Sequence, residues 1–462
     1  PDADGGPSLM SSPIPALIPN RISHLFDLRG PSEQCDTTCS SSLVALHRAI
    51  RSIRDGECDQ AIVGGVNLVM SPARFAGMRA AGMLSSSGDV RPFQQDADGT
   101  VRSEGAGAVL IKPLSRAVED GDTIYGVVRG TGVAHGGKGV SFTAPNIRGM
   151  KSAIGRAYDD AGIDPGTVSY VETHGMSSVL ADSAEIAALR ASLGSATADP
   201  AGDEDSAVYL GSVKPCIGHT EVFSGLAALV KTVQAMRYGV IPAIPGFGRL
   251  HEDISLAGTR LRVATDTAPW PVRTDDGGRV LPRRASINSF GIGGVNAHAV
   301  LEQHVPGHDE DAVAQDGEGA PSPRLLVLSA KTEKALRERA RRLVSWLANE
   351  GTDNLADVAY TLQVGREEMD RRLALVAATR DEAVEVLAGW LNDDPDTRRR
   401  VAVANRAPGD RGTADSSAGG AEFLRSLVAQ GRMDLLADNW VAGAAVDWSL
   451  LHRGTRRRRI PL

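Results

Sequence analysis

The sequence is poor in aromatic residues and in cysteine. Phenylalanine, tryptophan and tyrosine make up 4% of its 462 residues, so its core must be built from aliphatic side chains. Four cysteines, Cys35, Cys39, Cys58 and Cys216, are too few for a disulfide framework in a chain of this length. They also lack the paired spacing of a zinc site. The composition therefore predicts a protein of a reducing compartment, without a structural metal.

Hydropathy and charge exclude two further classes of protein. No apolar run is long enough to span a bilayer, and we expect neither a membrane span nor a signal peptide. The net charge of −7 argues against a dedicated nucleic-acid binder. We interpret the four arginines at 456–459 as partners for acidic surface on a negatively charged protein. The expected protein is cytoplasmic and binds neither nucleic acid nor membrane.

Apolar patterning divides the chain into two parts. From residue 16 to 302, β-rich runs alternate with amphipathic stretches, which predicts a layered α/β core. An acidic segment rich in Gly, Pro and Ala at 303–322 predicts a linker, and a second α/β unit follows. The first part has predicted strands at 61–66, 107–111, 124–128 and 168–172 and helices at 147–162 and 222–238; the second has strands at 324–330 and within 367–380 and helices at 332–349, 357–363, 381–393 and 421–434.

Cys39 stands at the start of a predicted helix. Small hydroxylated residues surround it, and apolar residues then recur at helical spacing: Leu43, Val44, Leu46, Ala49, Ile50 and Ile53. The free N–H groups of the first helical turn and the positive end of the helix dipole would point at the sulfur. Both favour the thiolate, which is the nucleophilic form. The alternative is a small buried cysteine that only packs.

Two histidines and a lysine follow predicted strands. His174 comes just after the strand at 168–172, and His219 lies five residues after Lys214. Sites of α/β proteins form in such loops, although each residue alone has an ordinary surface interpretation. The segment 288–298 predicts an open glycine loop with free backbone N–H groups, but it lacks the dinucleotide-binding spacing. A cysteine with two histidines suggests acyl chemistry, in which a thiolate forms a thioester and imidazoles donate to its carbonyl oxygen.

Together these motifs resemble the ketosynthase domain of a modular type I polyketide synthase. The resemblance covers residues 16–302 and implies a thiolase-like layered α/β/α/β/α core. The matching segments stand in the family's order: 36–47, 64–67, 91–93, 98–105, 143–146, 171–175, 213–219 and 288–298.

The resemblance extends to the rest of the chain. Residues 323–435 resemble the small α/β linker domain that follows polyketide ketosynthases. Residues 436–462 resemble the linker that normally follows an acyltransferase and wraps back onto the ketosynthase. No acyltransferase motif of the Gly-His-Ser-x-Gly type is present. The implied organisation is a ketosynthase core at 1–302, a flexible linker at 303–322, the small domain and the tail, in a module loaded by an acyltransferase acting in trans.

The resemblance also implies a role for each site residue. Cys39 would take an acyl chain from the phosphopantetheine arm of an acyl carrier protein, and a malonyl group on a second carrier would lose carbon dioxide and attack the thioester. His174 and His219 would assist decarboxylation, and Lys214 would hold the network around His174. The backbone N–H groups of Cys39 and Ile292 would form the oxyanion hole.

The resemblance also implies which residues meet the phosphopantetheine arm and which proteins are partners. A gate is implied at 290–294, and the residues implied to meet the pantetheine arm are Met176, Ser178, Phe290, Gly291, Gly293 and Gly294. No bound cofactor is expected beyond that arm as substrate carrier. The implied partners are carrier proteins, a trans-acting acyltransferase, other modules of an antibiotic-producing synthase and a second copy in a homodimer.

The chain departs from the family beside His174. Gly175-Met176-Ser177-Ser178 stands where the family has Gly-Thr-Gly-Thr, so Met176 lacks a hydroxyl for the arm whereas Ser178 keeps one. Asp182 and Glu185 are retained in the next segment. Losing one hydrogen bond costs about 1 kcal/mol, enough to slow extension without abolishing it. A ketosynthase that only passes acyl chains between carriers is therefore the alternative to an elongating one.

The segment before the nucleophile is short for this family. Only 38 residues precede Cys39, where a ketosynthase has a substantial α/β stretch. We expect the sequence to be truncated relative to the full protein, because a true fragment would expose an apolar sheet face. A non-catalytic docking scaffold is the third hypothesis.

Overall fold

The computed structural model describes residues 14–193, 206–274, 277–278, 280–306, 322–349, 354–405, 418–453, 455 and 457–462. These residues form two compact units. The first comprises the described residues up to 114 and from 124 to 305, and the second comprises 115–123 and the described residues from 306 onward. Most of the predicted linker at 303–322 lies outside the described residues.

Twelve strands of the described residues belong to the first unit. They are β1 Ala61–Asn67, β2 Gly105–Ile111, β3 Val127–His135, β4 Tyr170–Glu172, β5 Val208–Gly211, β6 Val240–Ile241, β7 Leu261–Val263, β8 Ala268–Pro269, β9 Arg273–Thr274, β10 Val280–Leu281, β11 Arg284–Phe290 and β12 Val295–Glu302. Six of them form a mixed sheet in the order β3-β12-β11-β4-β5-β7. β4, β5 and β7 extend it in parallel from β11, whereas β12 pairs antiparallel with both β11 and β3.

Helices cover both faces of this sheet. The helices that begin in the first unit are α1 Leu17–Leu25, α2 Ser41–Arg54, α3 Pro72–Ala80, α4 Leu114–Glu119, α5 Ile147–Ala161, α6 Val179–Ser192, α7 Lys214–Ile217 and α8 Ser224–Tyr238. One core joins α5 and α6 to one face, and a second joins α2 and α8 to the other face and to β1. The β1–β2 pair therefore forms a further layer, and the α/β class is confirmed.

Several predicted elements lie where the sequence pattern puts them, with two exceptions. Helices α5 and α8 and strands β2 and β4 match the predictions, but β3 begins at Val127 rather than at 124. The apolar run at 61–66, bounded by glycines, predicts a buried strand, and that prediction of burial is wrong. β1 alternates, with Val63 buried and Ile62 exposed, because α2 and α8 cover only one face of the β1–β2 pair.

The second unit has its own sheet and core. Its strands are β13 Arg324–Ala330, β14 Arg371–Ala377 and β15 Val401–Asn405, in the order β13-β14-β15. Its helices are Glu333–Asn349, Leu355–Val364, Arg380–Leu391, Pro395–Arg398, Ala418–Ala429 and Met433–Val441. The predicted helix at 421–434 is thus two helices, because Gly431 adopts a φ of +65° between them.

The C-terminal tail belongs to the core of this second unit. Trp448 and Ile460 are buried with the side chains of β13 and β14, and the Ile460 amide donates to Thr361 Oγ1 at 3.0 Å. The proposed domain boundary at 435/436 falls inside the helix Met433–Val441. None of the helices in the described ranges has both the length and the apolar character needed to cross a lipid bilayer.

Candidate active site

Cys39 lies on a 3₁₀ turn at 38–40 that leads directly into α2. Its carbonyl oxygen accepts from Ser289 Oγ at 2.8 Å and from Ser224 Oγ at 3.1 Å. Thr38 before it adopts a φ of +61°, which is costly for a β-branched residue. Thr38 Oγ1 donates to the Ile292 carbonyl at 3.0 Å. Two segments distant in sequence, at Ser224 and at 289–292, therefore fix the nucleophile in place.

The expected lowering of the Cys39 pKa is wrong in its net direction. Burial raises the pKa of the Cys39 thiol, and the Ile292 backbone N–H and the charge of Lys214 only partly offset that effect. Desolvation outweighs the favourable dipole because the sulfur is shielded from water. Cys39 therefore needs a nearby base to become nucleophilic.

His219 supplies that base. Its Nε2 atom lies 3.2 Å from Cys39 Sγ. The backbone on both sides is fixed, because the His219 amide donates to the Val101 carbonyl at 2.7 Å and its carbonyl accepts from the Ser103 amide at 3.1 Å. Burial, then the charges of Lys214 and Arg102, hold the pKa of His219 well below its usual range. The ring is neutral at neutral pH and can accept the thiol proton.

His174 is held by a buried loop just after β4. Its ring centroid lies 5.7 Å from that of His219 and 5.8 Å from that of Phe290. Burial, then the charge of Lys214, hold the pKa of His174 well below its usual range. The sequence prediction that brings Cys39, His174 and His219 together is consistent with this geometry.

Lys214 lies behind His174 rather than in the open cleft. Its Nζ contacts the His174 carbonyl oxygen and lies 3.4 Å from His174 Nδ1. Desolvation lowers the pKa of Lys214, and the charges of Glu185 and its neighbours oppose that effect. This position matches the implied role of holding the polar network around His174.

A large cleft brings the remaining predicted residues together. It has a volume of about 1930 Å³ and is lined by residues that include Cys39, His174, His219, Met176, Ser178, Phe290, Gly291, Ile292 and Gly294. Gly293 does not line it. The Gly293 carbonyl instead pairs with His135 Nε2 at 2.9 Å. Gly291 is needed for close approach, because a Cβ there would lie 2.5 Å from the Thr37 carbonyl oxygen.

Two buried carboxylates support the His174 loop and carried no assigned role in the sequence analysis. Glu185 accepts from the amides of His174 at 2.7 Å and Gly175 at 2.9 Å. Asp182 accepts from the amides of Met176 at 2.9 Å and Phe93 at 2.8 Å, and burial raises its pKa to about 7. Their i, i+3 spacing on α6 is the sequence feature that could have predicted a shared role, since it places both carboxylates on one helix face.

A third carboxylate, Glu172, holds the loop that carries Lys214. It is fully buried and accepts from Tyr170 Oη at 2.6 Å, the Val213 amide at 2.6 Å and Lys231 Nζ at 2.8 Å. Three donors around one buried carboxylate satisfy its charge and fix the backbone just before Lys214. Nothing in the local sequence pattern marks Glu172, because two of its three partners, Val213 and Lys231, come from other segments.

This arrangement is suited to acyl chemistry on a thiol. A neutral imidazole beside the sulfur takes its proton, and the Ile292 N–H that already points at the sulfur can donate to a thioester oxygen. His174 provides a second neutral imidazole, which can donate an N–H to the oxygen of another carbonyl group.

Three family matches cover the chain in order. Residues 2–117 match the N-terminal domain of beta-ketoacyl synthases, and residues 125–247 match their C-terminal domain. Residues 327–394 match a RhiE-like linker domain found between ketosynthase and malonyl acyltransferase. The solved ketosynthase from module 6 of the bacillaene synthase of Bacillus subtilis is 33% identical. It has a TM-score of 0.84 over 96% of this chain and 76% of that one.

The chain belongs to the ketosynthase family of polyketide synthases. The oxazolomycin ketosynthase domain from Streptomyces albus is also similar, with 38% identity and a TM-score of 0.81 over 97% of this chain and 72% of that one. The predicted thiolase-like ketosynthase fold and acyl-transferring enzyme class are thereby confirmed.

Curated polyketide synthases are similar as well, but they are far longer than this ketosynthase. Polyketide synthase PksR of Bacillus subtilis is 45% identical over 97% of this chain, which corresponds to 18% of PksR. Polyketide synthase ThaG of Burkholderia thailandensis is 53% identical over 66% of this chain, which corresponds to 5% of ThaG. The chain thus spans less than a fifth of either relative.

Proposed function

We propose that this ketosynthase elongates acyl chains by decarboxylative condensation. In the first half-reaction His219 takes the Cys39 proton, and the sulfur attacks the thioester carbonyl of an acyl chain on a carrier protein. The C–S bond to the pantetheine arm breaks, and that thiol leaves with a proton. The product is an acyl thioester on Cys39.

The second half-reaction uses both histidines. A malonyl thioester on a second carrier loses carbon dioxide, and the electron pair of the broken C–C bond forms an enolate whose oxygen accepts from His174 and His219. The enolate carbon attacks the Cys39 thioester, the C–S bond breaks, and a β-ketoacyl carrier protein leaves. Cys39 leaves as a thiolate and takes up a proton from solvent water.

One observation carries this proposal. A second neutral imidazole, His174, stands 5.7 Å from His219 across the cleft that contains Cys39. Simple acyl transfer needs a nucleophile, one base and an oxyanion hole. Simple acyl transfer therefore gives no role to His174 and to the buried Lys214 behind it. Condensation does, because its enolate oxygen needs a further hydrogen-bond donor.

A second candidate function is transfer without elongation. Met176 lines the cleft where the family pattern has a threonine, so the arm of an incoming malonyl carrier has one hydrogen-bond partner fewer. A weakly held malonyl arm would leave acylation intact and slow the second half-reaction. The non-catalytic scaffold is the third candidate, and it requires no acylation of Cys39.

A single assay separates the three candidates. The protein is incubated with an acyl thioester and then with a malonyl carrier protein, and products on the carrier are identified by mass spectrometry. Elongation predicts a β-ketoacyl carrier and carbon dioxide. Transfer predicts an unextended acyl chain on a second carrier protein that is added with its pantetheine thiol free. Cys39→Ala is the control: acyl loading that survives this change would support the scaffold.

The wider biological setting is part of the same proposal. We propose that carrier proteins and other modules of a synthase are the partners, with the phosphopantetheine arm as substrate carrier. Loading by an acyltransferase in trans stays a prediction from the family resemblance. Homodimer formation and antibiotic biosynthesis stay predictions from the family resemblance, and a cytoplasmic location stays a prediction from the composition.

A further inference from the structure

A chain of buried hydrogen bonds leads from the His174 loop to the neighbouring strands. Asn288 on β11 and His298 on β12 face each other in the register of the sheet. His298 Nδ1 lies 2.7 Å from Asn288 Oδ1, and Asn288 Nδ2 lies 2.7 Å from Glu185 Oε1. Asn288 is 2% exposed and His298 is 1% exposed. No step of the proposed condensation uses either side chain directly.

The chemistry of these groups fixes the protons along the chain. Glu185 accepts hydrogen bonds, so Asn288 must present its Nδ2 donor to the carboxylate and its Oδ1 to His298. His298 Nδ1 therefore carries a proton. Burial lowers the pKa of His298 to about 3, so the ring is neutral and its Nε2 is a bare lone pair. Within the part of the chain that the structure describes, that Nε2 atom is buried without a hydrogen-bond partner.

Glu185 is the point at which this chain meets the active site. Its carboxylate receives the backbone N–H groups of His174 and Gly175 and the amide of Asn288. Burial raises the pKa of Glu185, and these three donors and the charge of Lys214 oppose that effect. The loop it holds is strained, since the non-glycine residue Ser177 adopts a φ of +59°.

The titratable groups around this chain come from several elements. Lys214 on α7, Asp182 on α6 itself and His174 after β4 face Glu185. Tyr158 on α5 faces His298, with ring centroids 5.5 Å apart. Among the described residues, the His298 side chain makes one hydrogen bond, to Asn288. Its one role there is to fix the orientation of the Asn288 amide.

We propose that Asn288 and His298 are positioning residues for the condensation half-reaction, acting on His174 through Glu185. The proposal rests on the elongating function proposed above. With the His298 donor removed, the Asn288 amide can turn its oxygen toward the Glu185 carboxylate, and the resulting repulsion favours proton uptake by Glu185. A protonated Glu185 accepts fewer hydrogen bonds, so the backbone of His174 loses its support. Acylation of Cys39 requires no such support.

The experiment measures two half-reactions across pH for the full chain. Cys39 is loaded with an acyl thioester, and carbon dioxide release from a malonyl carrier protein is followed from about pH 5.5 to about pH 8.5. His298→Leu should lower release by about tenfold to a hundredfold and move the acid limb upward by about one pH unit, with loading unchanged within about twofold. His298→Asn should restore most of the activity, because its amide nitrogen takes the place of Nδ1.

Two further variants control for misfolding. Asn288→Asp keeps the shape but adds a second carboxyl beside Glu185, so the acid limb should again move upward because the two groups share a proton. Ser286→Ala is the matched control, since Ser286 is equally buried two residues earlier on the same strand. It should behave as the wild type.

The contrary outcomes are distinct. Equal rates for His298→Leu and His298→Asn, or an acid limb unmoved in Asn288→Asp, would overturn the positioning role. Wild-type protein that loads Cys39 but releases no carbon dioxide would overturn elongation instead. Nuclear magnetic resonance spectra of ¹⁵N-histidine-labelled protein then test the positioning role by itself. His298→Leu should shift the His174 resonances, and Ser286→Ala should not. His174 resonances that stay in place in His298→Leu would contradict the positioning role.

Discussion

His219 Nε2 lies 3.2 Å from Cys39 Sγ, although 180 residues separate them in the chain. His174 has a different environment, since Lys214 contacts both its carbonyl oxygen and its ring. The two imidazoles are thus chemically distinct. One touches the nucleophile directly, and the other is held by a buried cation beyond it.

This difference predicts separable effects of the two histidines. His174→Ala should leave acylation of Cys39 within about threefold of wild type but lower carbon dioxide release by about 10²-fold to 10⁴-fold, because only the second half-reaction needs it. His219→Ala should lower both rates, since it removes the base beside the thiol. The exposed His24 provides the control His24→Ala. Stopped-flow kinetics measure the acylation of Cys39, and a carbon dioxide assay measures the second half-reaction. Equal losses of both rates in His174→Ala would contradict the separate roles of the two histidines.

Glycines in the β1–β2 pair form a slot for Phe223. A Cβ at Gly107 would lie 2.9 Å from Phe223 Cζ, whereas a Cβ at Gly64 would meet nothing nearer than 3.8 Å. Gly107→Ala should lower the free energy of unfolding by about 1–3 kcal/mol through overpacking. Gly64→Ala, the matched control in the same pair, should stay within about 0.5 kcal/mol of wild type. Urea unfolding followed by circular dichroism tests this, with Phe223→Leu expected to rescue Gly107→Ala. Equal losses in the two alanine variants would contradict the slot.

The neutral state of buried His298 predicts a pH dependence of stability. Burial lowers its pKa from an ordinary 6.5 to about 3, so between these values the unfolded chain binds a proton that the folded chain does not. The stabilisation is fully present above about pH 6.5 and is lost as the pH falls toward about pH 3, by about 1.4 kcal/mol per pH unit.

The matched variant is His298→Asn, which keeps the donor and removes the titration. Between about pH 6.5 and about pH 4.5 the wild type should lose about 2–3 kcal/mol more unfolding free energy than this variant. Urea unfolding at four pH values provides the measurement. Parallel pH dependences for the two proteins would show that His298 takes up its proton in the folded state.

The tail should stabilise the second unit. Ile460 is 7% exposed within the core that also contains Trp448 and Leu373. Ile460→Ala should lower the unfolding free energy of this unit by about 2–5 kcal/mol, because it leaves a cavity. The neighbouring Pro461 is exposed, so Pro461→Ala is the control. Tryptophan fluorescence follows the transition through Trp440 and Trp448; equal stability of the two variants would contradict burial of the tail.

Local patterns were enough to find the reacting groups. Cys39 and His174 stand at junctions that helical spacing or a strand end marks, whereas His219 follows the short helix α7 rather than a strand. Family motifs supplied the roles of all three. The net pKa of Cys39 was not predictable from the helix dipole, because burial by distant segments decides its sign. The half-exposed state of β1 was missed for a similar reason, since burial depends on which layers pack against a strand.

The supporting residues were harder to predict. Glu172, Glu185, Asn288 and His298 act through partners up to 103 residues away, as between Asn288 and Glu185. An isolated glutamate or asparagine within an apolar strand or helix gives no sign of such a partner. Only the folded arrangement shows that Glu185, Asn288 and His298 form one hydrogen-bonded chain beside His174, and that Glu172 holds the segment before Lys214.

The most direct test of the central claim follows one turnover on Cys39 by intact-protein mass spectrometry. Acyl-loaded protein is mixed with a malonyl carrier protein whose malonyl carbons are labelled. Elongation predicts that the acyl mass leaves Cys39 as labelled carbon dioxide appears, and that the carrier holds a β-ketoacyl chain with two labelled carbons. Loss of the acyl mass without carbon dioxide, or an acyl-Cys39 that persists unchanged, would contradict the account.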